Sequence, residues 1–219
     1  LIGFNRHDAH PDYGYAIPAE ITRNDLEMIR EKGYNFIRGC HYTQSETMLS
    51  ICDELGLLVW DESLGWGNSI ASMTDPVFCR YQQEQTRQMV RKSINHPCII
   101  LWGFLNEAST HEPEAGKLVN SLIQTIRSED QSRLVTFASN QIFNDLCLDS
   151  LDVVSFNTYP GWDGQQDAQQ FPQEEVLDAL RKIIQFASQE KYRGKGVILS
   201  EIGAAALPGD HSGLRWSEE

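Results

Sequence analysis

Seven short apolar runs recur along the chain, and polar residues follow each of them directly. The runs begin at Leu1, Phe36, Leu57, Ile99, Leu134, Val153 and Val197. Continuous apolar runs of this length are typical of strands that are covered on both faces. Helical patterns lie between most of the runs, and such an alternation of strand and helix predicts a parallel sheet with helices packed outside it.

The helix boundaries have recognisable signals. Apolar residues spaced i, i+3, i+4 and i+7 begin at Met48 and at Val119, and a longer stretch begins at Val176. Thr74-Asp75-Pro76 offers a capping side chain before a proline, and Gly33 and Gly56 stand where helices should stop. The short link between the fifth and sixth strands leaves room for at most a brief helix at Gln141–Leu148.

Two architectures with a parallel sheet compete: an open doubly wound sheet and a (β/α)8 barrel. An open sheet that binds nucleotides should carry a glycine-rich turn after its first strand, but that turn reads Asn5-Arg6-His7-Asp8. The polar residues instead gather at the carboxyl ends of all seven runs. In a barrel those ends form one ring around the active site. The sequence therefore predicts a (β/α)8 TIM barrel.

Charge and composition exclude several other classes. The net charge is −13, from 18 Lys and Arg against 31 Asp and Glu, which disfavours binding to nucleic acid or to an anionic membrane. A hydrophobic fraction of 41% is too high for a disordered acidic tail. No run reaches the roughly 18 apolar residues that a membrane span requires.

The five cysteines suggest a reducing environment. Their number is odd and no C-x-x-C pair occurs, so a disulfide framework or a thiolate zinc site is not expected. No N-glycosylation acceptor occurs either. A cytoplasmic location fits best. Because Leu1 is not a natural start, secretion of a longer parent protein stays open.

Glutamates at strand ends are the most informative candidates for chemistry. Glu62, Glu107 and Glu201 follow the third, fourth and seventh runs. A lone strand-end glutamate could simply pair with Arg6 or Arg38. Strands four and seven, however, lie on opposite sides of a barrel mouth, so their glutamates can face each other. Two carboxyl groups about 5–5.5 Å apart are the arrangement that retaining glycosidases use.

Aromatic residues near the strand ends support a sugar site. Aromatic faces can pack against the C–H faces of a pyranose ring. We expect Trp162, in the loop after the sixth strand, to line the pocket. We expect Trp60 and Trp102 to be core residues instead.

Several segments resemble the catalytic domain of glycoside hydrolase family 2, which includes β-galactosidases, β-glucuronidases and β-mannosidases. The most telling are Asn95–Glu107, which resembles the acid/base strand, and Ile198–Gly203, which resembles the nucleophile strand. Gly3–Asp8, Arg38–Tyr42 and Asp53–Glu62 resemble the first three barrel strands, in the right order. The resemblance covers nearly the whole chain.

The resemblance implies roles for these residues. Glu201 would attack the anomeric carbon, and Glu107 would protonate the leaving oxygen and then deprotonate water. Asn106 would bond the 2-hydroxyl of the sugar, and Tyr159 would lie near Glu201 and steady its charge.

The same resemblance makes His7 and His41 candidates for contacts to sugar hydroxyls or for positioning the carboxylates. Some family members bind a divalent ion through the glutamate that ends strand three and a histidine two residues later. Here that second residue is Leu64, so a divalent cation is doubtful, no metal ligand is assigned and no cofactor is expected. Glu62 is better interpreted as a residue that positions others at the substrate site.

The substrate class is a carbohydrate, and the β-glucuronide and β-galactoside branches both stay open. Asn157–Trp162, Leu207–Ser212 and the tail Trp216–Glu219 look most like the β-glucuronidase branch. Ile202, however, replaces a tyrosine that this branch often carries after the nucleophile. The branch's carboxylate-reading motif would lie beyond Glu219.

Two further functional hypotheses compete with a glycosidase. A metal-dependent hydrolase on the same barrel usually carries H-x-H on strand one, whereas His7 and His10 are spaced H-x-x-H. The other is a non-catalytic carbohydrate-binding barrel or an inactive fragment.

A complete barrel has eight strands and typically about 250 residues. With seven runs in 219 residues, we expect a barrel truncated before its eighth strand, with both glutamates present, an open seam and little activity on its own. The resemblance also implies β-sandwich domains before Leu1, and a parent that could form a homo-oligomer.

Overall fold

A computed structural model describes residues 1–162, 173–203, 205–213 and 216–218. Seven strands in these ranges form one sheet: β1 Gly3–Arg6, β2 Phe36–Gly39, β3 Leu58–Trp66, β4 Ile99–Asn106, β5 Leu134–Ser139, β6 Val153–Asn157 and β7 Gly196–Glu201. Each strand pairs in parallel with the next one along the chain. All seven predicted strands are confirmed.

Helices cover the outside of the sheet: α1 Ala19–Glu31, α2 Glu46–Leu55, α3 Ile70–Thr74, α4 Pro76–Ser93, α5 Ala115–Glu129 and α6 Gln173–Ala187. The predicted start of α4 is confirmed, because Asp75 accepts the N–H of Phe78 at 2.7 Å and Pro76 is the first helical residue. Gly56 ends α2 in the left-handed conformation, with φ 71°. The link between β5 and β6 holds one 3₁₀ turn, Leu148–Ser150, later than the predicted position.

The core has two layers, one between helices and sheet and one inside the barrel. Trp102 belongs to the outer layer, where its Nε1 donates to Asp130 at 2.8 Å, so its predicted core role is confirmed. Trp60 is also fully buried, but it faces the barrel interior with Leu101. Gly103 on β4 leaves room for it, because a Cβ at that position would lie 1.9 Å from Trp60 Nε1.

The sheet curves into a nearly closed barrel, with β1 and β7 at its two ends within the described residues. Near the mouth, Asn5 Nδ2 on β1 donates to the Ser200 carbonyl on β7 at 2.8 Å. Farther in, a cavity of about 1030 Å³ opens between these strands and is lined by Phe4, Trp60 and Ile198 among others. The fold is therefore the predicted TIM barrel, with seven strands within the described residues.

Two further findings concern the cysteines and the possibility of a membrane span. All five cysteines are free thiols. In the part of the chain that the structure describes, no helix is both long and apolar enough to cross a membrane.

Candidate active site

Arg38, at the carboxyl end of β2, is the centre of the polar network at the barrel mouth. Its side chain is 1% exposed. It donates to both oxygens of Glu62, at 3.0 and 3.2 Å, to Glu201 Oε1 at 2.7 Å and to Asn106 Oδ1 at 2.9 Å. Burial acts against its charge, but the carboxylates of Glu62 and Glu201 raise the pKa of Arg38 above its usual value. One guanidinium therefore connects β2, β3, β4 and β7.

Glu201, the last residue of β7, has strong partners on both oxygens. Arg38 donates to Oε1, and the hydroxyl of Tyr159 donates to Oε2 at 2.5 Å. Burial and the neighbouring Glu201 carboxylate raise the pKa of Tyr159 well above its usual value, so the phenol keeps the proton that it donates. The Glu201 side chain is still 12% exposed, which leaves it reachable from the mouth. Both oxygens of the Glu201 carboxylate are therefore held by charged or hydroxyl donors.

Asn106 and Glu107 both contact Asn157, although neighbours on a regular strand point to opposite faces. Asn157 Nδ2 donates to Asn106 Oδ1 at 3.0 Å and to Glu107 Oε1 at 2.8 Å. The pairing of β4 with both of its neighbours shifts register just before Asn106. Leu105 and Glu107 have φ values of 57° and 52°, a region that non-glycine residues rarely adopt. This local distortion of the backbone accompanies the turning of both side chains toward the mouth.

Glu107 has only amide partners among the described residues. Besides Asn157, Asn140 Nδ2 donates to its Oε2 at 3.3 Å. No described arginine, lysine or histidine forms an ion pair with it. The two glutamates that the sequence singled out thus stand in different electrostatic surroundings, one beside a cation and one beside neutral amides.

His41 and His7 complete this side of the mouth. His41 Nδ1 lies 3.4 Å from Glu62 Oε1, and His41 Nε2 lies 3.9 Å from Glu201 Oε1. The ring of His7 packs edge-on against His41, with centroids 5.3 Å apart. Burial, followed by the nearby His41, lowers the pKa of His7.

Aromatic side chains form the rim. Trp162 is half-buried and packs on Tyr159, with ring centroids 5.6 Å apart, and Trp216 packs on Trp162 at 4.9 Å. On the other side Trp66 ends β3, is 57% exposed and lies 6.3 Å from the His41 ring. Trp162 is therefore placed beside the residue that bonds Glu201.

The structure brings together the residues that the sequence predicted for the site, namely Glu62, Asn106, Glu107, Tyr159, Glu201, His7, His41 and Trp162. Glu62 is fully buried, with both oxygens bonded to Arg38, and its positioning role stays a prediction. Of the two arginines considered as ion-pair partners of strand-end glutamates, Arg38 pairs with Glu62 and Glu201, as considered. Arg6 bonds Asp8 and Asp25 instead.

Sequence reasoning missed the organising role of Arg38 and the amides of Asn140 and Asn157. A signal for all three was present, because Asn140 follows β5, Asn157 ends β6 and Arg38 is the last residue but one of β2. Nothing in the sequence separates them from other polar residues at strand ends.

Comparison with known sequences identifies the family to which this barrel belongs. The family model described as "Glycosyl hydrolases family 2, TIM barrel domain" matches residues 1–215. The chain belongs to glycosyl hydrolase family 2. Its family is one of glycoside hydrolases, as the resemblance of its motifs implied.

Curated family 2 relatives include the β-glucuronidases of Felis catus, 30% identical, and Homo sapiens, 29% identical. Both alignments cover 99% of this chain and 33% of the relative, so the chain spans about a third of their length.

Solved family 2 structures are similar over nearly the whole chain. A β-galacturonidase from Eisenbergiella tayi bound to galacturonate is 34% identical with a TM-score of 0.89, over 99% of this chain and 38% of that one. A β-D-glucuronidase from Dictyoglomus thermophilum is 27% identical with a TM-score of 0.86, over 98% of this chain and 38% of that one.

Asp61, directly before Glu62 in the family 2 barrel, predicts a pH dependence of stability. It is fully buried, and its Oδ1 accepts the N–H groups of Gln44 and Glu62 at 3.0 and 3.2 Å. Burial raises the pKa of Asp61 to about 7. Since the folded state keeps a proton that the unfolded chain releases, the free energy of unfolding should fall as pH rises from about 4 to 7 and then level off. The expected loss is up to about 4 kcal/mol.

Urea unfolding between pH 4.5 and 8 gives the free energy of unfolding of the wild type and of Asp61→Asn, which cannot titrate. The difference between the two curves measures this effect. The matched control is Asp130→Asn. Hydrogen bonds from Ser132, Trp102 and Arg133 outweigh burial and lower the pKa of Asp130. The contribution of Asp130 to the free energy of unfolding therefore changes only at acidic pH. The Asp130→Asn curve should run parallel to the wild type above pH 5. A parallel curve for Asp61→Asn would contradict the prediction.

Proposed function

We propose that this chain is the catalytic barrel of a retaining exo-β-glycosidase that hydrolyses terminal β-glycosides by double displacement. The observation that carries the proposal is the contrast between the two glutamates. Glu201 is bonded by a buried arginine and a tyrosine hydroxyl, and Glu107 is bonded by two amides. A nucleophile must be charged, whereas a general acid must be able to hold a proton.

In the first step, Glu201 attacks the anomeric carbon as the glycosidic bond breaks, and Glu107 gives its proton to the departing oxygen. In the second step, Glu107 takes a proton from water, whose oxygen replaces Glu201 at the same carbon. Two inversions restore the original configuration. Arg38 and Tyr159 hold the Glu201 carboxylate in place before attack, and Asn106 lies close enough to Arg38 and Asn157 to be fixed for a bond to the sugar. The mechanism requires the two carboxyl groups to lie about 5–5.5 Å apart, which remains a prediction.

The proposed substrates are β-hexuronides, with β-galactosides as the second candidate. The curated relatives are named β-glucuronidases, and one similar structure is a β-galacturonidase with bound galacturonate. These names favour a sugar that carries a carboxylate. Because the similar structure is a β-galacturonidase, both glucuronides and their C4 epimers, the galacturonides, are proposed.

A substrate panel tests the proposal. Because the relatives are about three times longer than this chain, the assay uses the longest natural polypeptide that contains the sequence, here called the parent polypeptide, alongside the 219-residue chain. We expect the parent polypeptide to cleave nitrophenyl β-glucuronide or β-galacturonide faster than the β-galactoside and β-glucoside. Proton NMR of the first product should show the β-anomer. Failure on all four substrates, or an α-anomer as first product, would overturn the proposed function.

The other expectations on organisation stay predictions. These are the β-sandwich domains before Leu1, a homo-oligomeric parent and a cytoplasmic location. Size-exclusion chromatography with light scattering and fractionation of the source cells would test the last two.

A further inference from the structure

A thiol and two imidazoles lie together on the β1–β2 side of the mouth. His7 follows β1, and Cys40 and His41 follow β2. One potential metal-ligand atom from each residue lies within 4.8 Å of the other two. We call this group, His7, Cys40 and His41, the thiol–imidazole cluster.

Two of the three donor groups of the cluster are available for a ligand, whereas His41 Nδ1 lies 3.2 Å from Arg38 Nη2 and 3.4 Å from Glu62 Oε1. Within the described part of the chain, neither the Cys40 thiol nor the His7 ring forms a hydrogen bond with another residue. His7 is exposed while Cys40 is 1% exposed, so a small ion can reach the buried thiol past the imidazole of His7.

The surroundings suit a cation. Glu62 and Glu201 both lie within 4.0 Å of His41, and together they carry one more negative charge than Arg38 can neutralise. The Oε1 atom of Glu201 lies 3.9 Å from His41 Nε2 but is bonded to Arg38 at 2.7 Å, so Glu201 contributes charge nearby and a water would complete the coordination. In a tetrahedral zinc site with Zn–S about 2.3 Å and Zn–N about 2.0–2.1 Å, the donor atoms are separated by about 3.3–3.6 Å. Side-chain rotations that move the donors by about 1 Å would therefore suffice.

We propose that the thiol–imidazole cluster binds a thiophilic divalent ion, with Zn²⁺ as the reference ion, and that the bound ion blocks the mouth. Binding forms a Zn–S bond, and the Cys40 thiol releases its proton to solvent. The ion would occupy both histidines that face the sugar site and would lie beside Glu201. Ion binding stands independently of catalysis, whereas the inhibitory consequence rests on the proposed function.

A second group of possible ligands, Asp53, His96 and Cys98, provides the internal control. Its donors also lie within 4.8 Å of one another. Here Asp53 already accepts the N–H of Cys98 at 2.8 Å and contacts His96 Nδ1 at 2.6 Å. These bonds join α2 to the turn before β4, so this group is structural.

Titration with Co²⁺, a spectroscopic substitute for Zn²⁺, tests binding on the 219-residue chain itself. We expect a thiolate-to-cobalt charge-transfer band that Zn²⁺ abolishes. Cys40→Ser should remove the band, and His7→Asn, at an exposed position, should weaken binding by about 10–100-fold. Cys98→Ser should keep the band. Circular dichroism checks that each variant is folded. No band, or a band lost in Cys98→Ser and kept in Cys40→Ser, would overturn the proposal.

The inhibitory consequence is measured on the parent polypeptide. Saturating Zn²⁺ should reduce kcat/KM by about tenfold or more, and a chelator should restore it. Cys40→Ser should keep the activity measured without metal and should lose the sensitivity to Zn²⁺. Equal inhibition of Cys40→Ser would overturn the block at this cluster. If the parent polypeptide cleaves no glycoside, the proposed function fails while the cobalt titration still decides whether the cluster binds metal.

Discussion

Replacing Glu201 by glutamine is expected to reduce kcat/KM by roughly 10⁴–10⁶-fold, because the amide cannot form a glycosyl-enzyme ester. The change keeps the size of the side chain, but Arg38 then faces a neutral group instead of a carboxylate. Burst kinetics and steady-state rates on a nitrophenyl substrate measure the loss. Glu84→Gln, at a solvent-exposed glutamate of α4 that pairs with Arg87, is the matched control and should leave the rate unchanged. A loss smaller than about 100-fold would remove Glu201 as the nucleophile.

Azide, added as an external nucleophile, distinguishes the proposed role of Glu201 from that of Glu107. In Glu201→Ala, azide should replace the missing carboxylate and yield a glycosyl azide of inverted, α configuration. In Glu107→Ala the enzyme ester still forms, so azide should yield the β-azide. The Glu107 variant should also lose most of its kcat/KM on substrates with poor leaving groups and little of it on activated ones, because kcat/KM reports the first step and only the former need a proton there. The same azide anomer from both variants would be incompatible with the assignment.

Removal of the Arg38 side chain is the second large effect. In Arg38→Met, the fully buried Glu62 would lose its cationic partner, and stability should fall by about 3–5 kcal/mol. Glu201 and Asn106 would also lose bonds that fix their positions, so kcat/KM of the folded fraction should fall by about 100-fold or more. Urea unfolding and steady-state kinetics measure the two effects.

A double variant tells apart the two roles of Arg38. Adding Glu62→Gln to Arg38→Met removes the uncompensated buried charge, so stability should recover in part while activity stays low. Arg6→Met is the control: this strand-end arginine bonds Asp8 and Asp25, not the glutamates of the mouth. If Arg6→Met lowers activity as much as Arg38→Met, the positioning role of Arg38 is wrong.

The barrel could be predicted because its interior strands, such as β2, β4 and β6, are buried on both faces. A run such as Ile99–Leu105 shows this burial directly in its composition. Capping residues such as Asp75 and Gly56 act locally, so helix boundaries were equally visible. The 3₁₀ turn at Leu148–Ser150 was misplaced because a single turn leaves no periodic pattern.

The two glutamates could be predicted from their positions at strand ends, but their network could not. The bonds of Arg38 join residues up to 163 positions apart, and no sequence spacing encodes such a contact. The left-handed conformation of Leu105 and Glu107 could not be predicted either, because neither is a residue type that favours it. The sequence therefore predicted which strand ends carry polar residues, and the structure shows which of these residues bond one another.

The position of β7 at one end of the sheet has a consequence for the dynamics of the site. Within the described residues β7 pairs only with β6, and Val197 and Leu199 on it are 47% and 37% exposed. Backbone amides of such a strand open and exchange with solvent more readily than those of interior strands. The proposed nucleophile thus stands on one of the least protected strands, tethered mainly by Arg38 and Tyr159. A segment packed against that edge would slow its local opening and so restrict the motion of the Glu201 carboxylate.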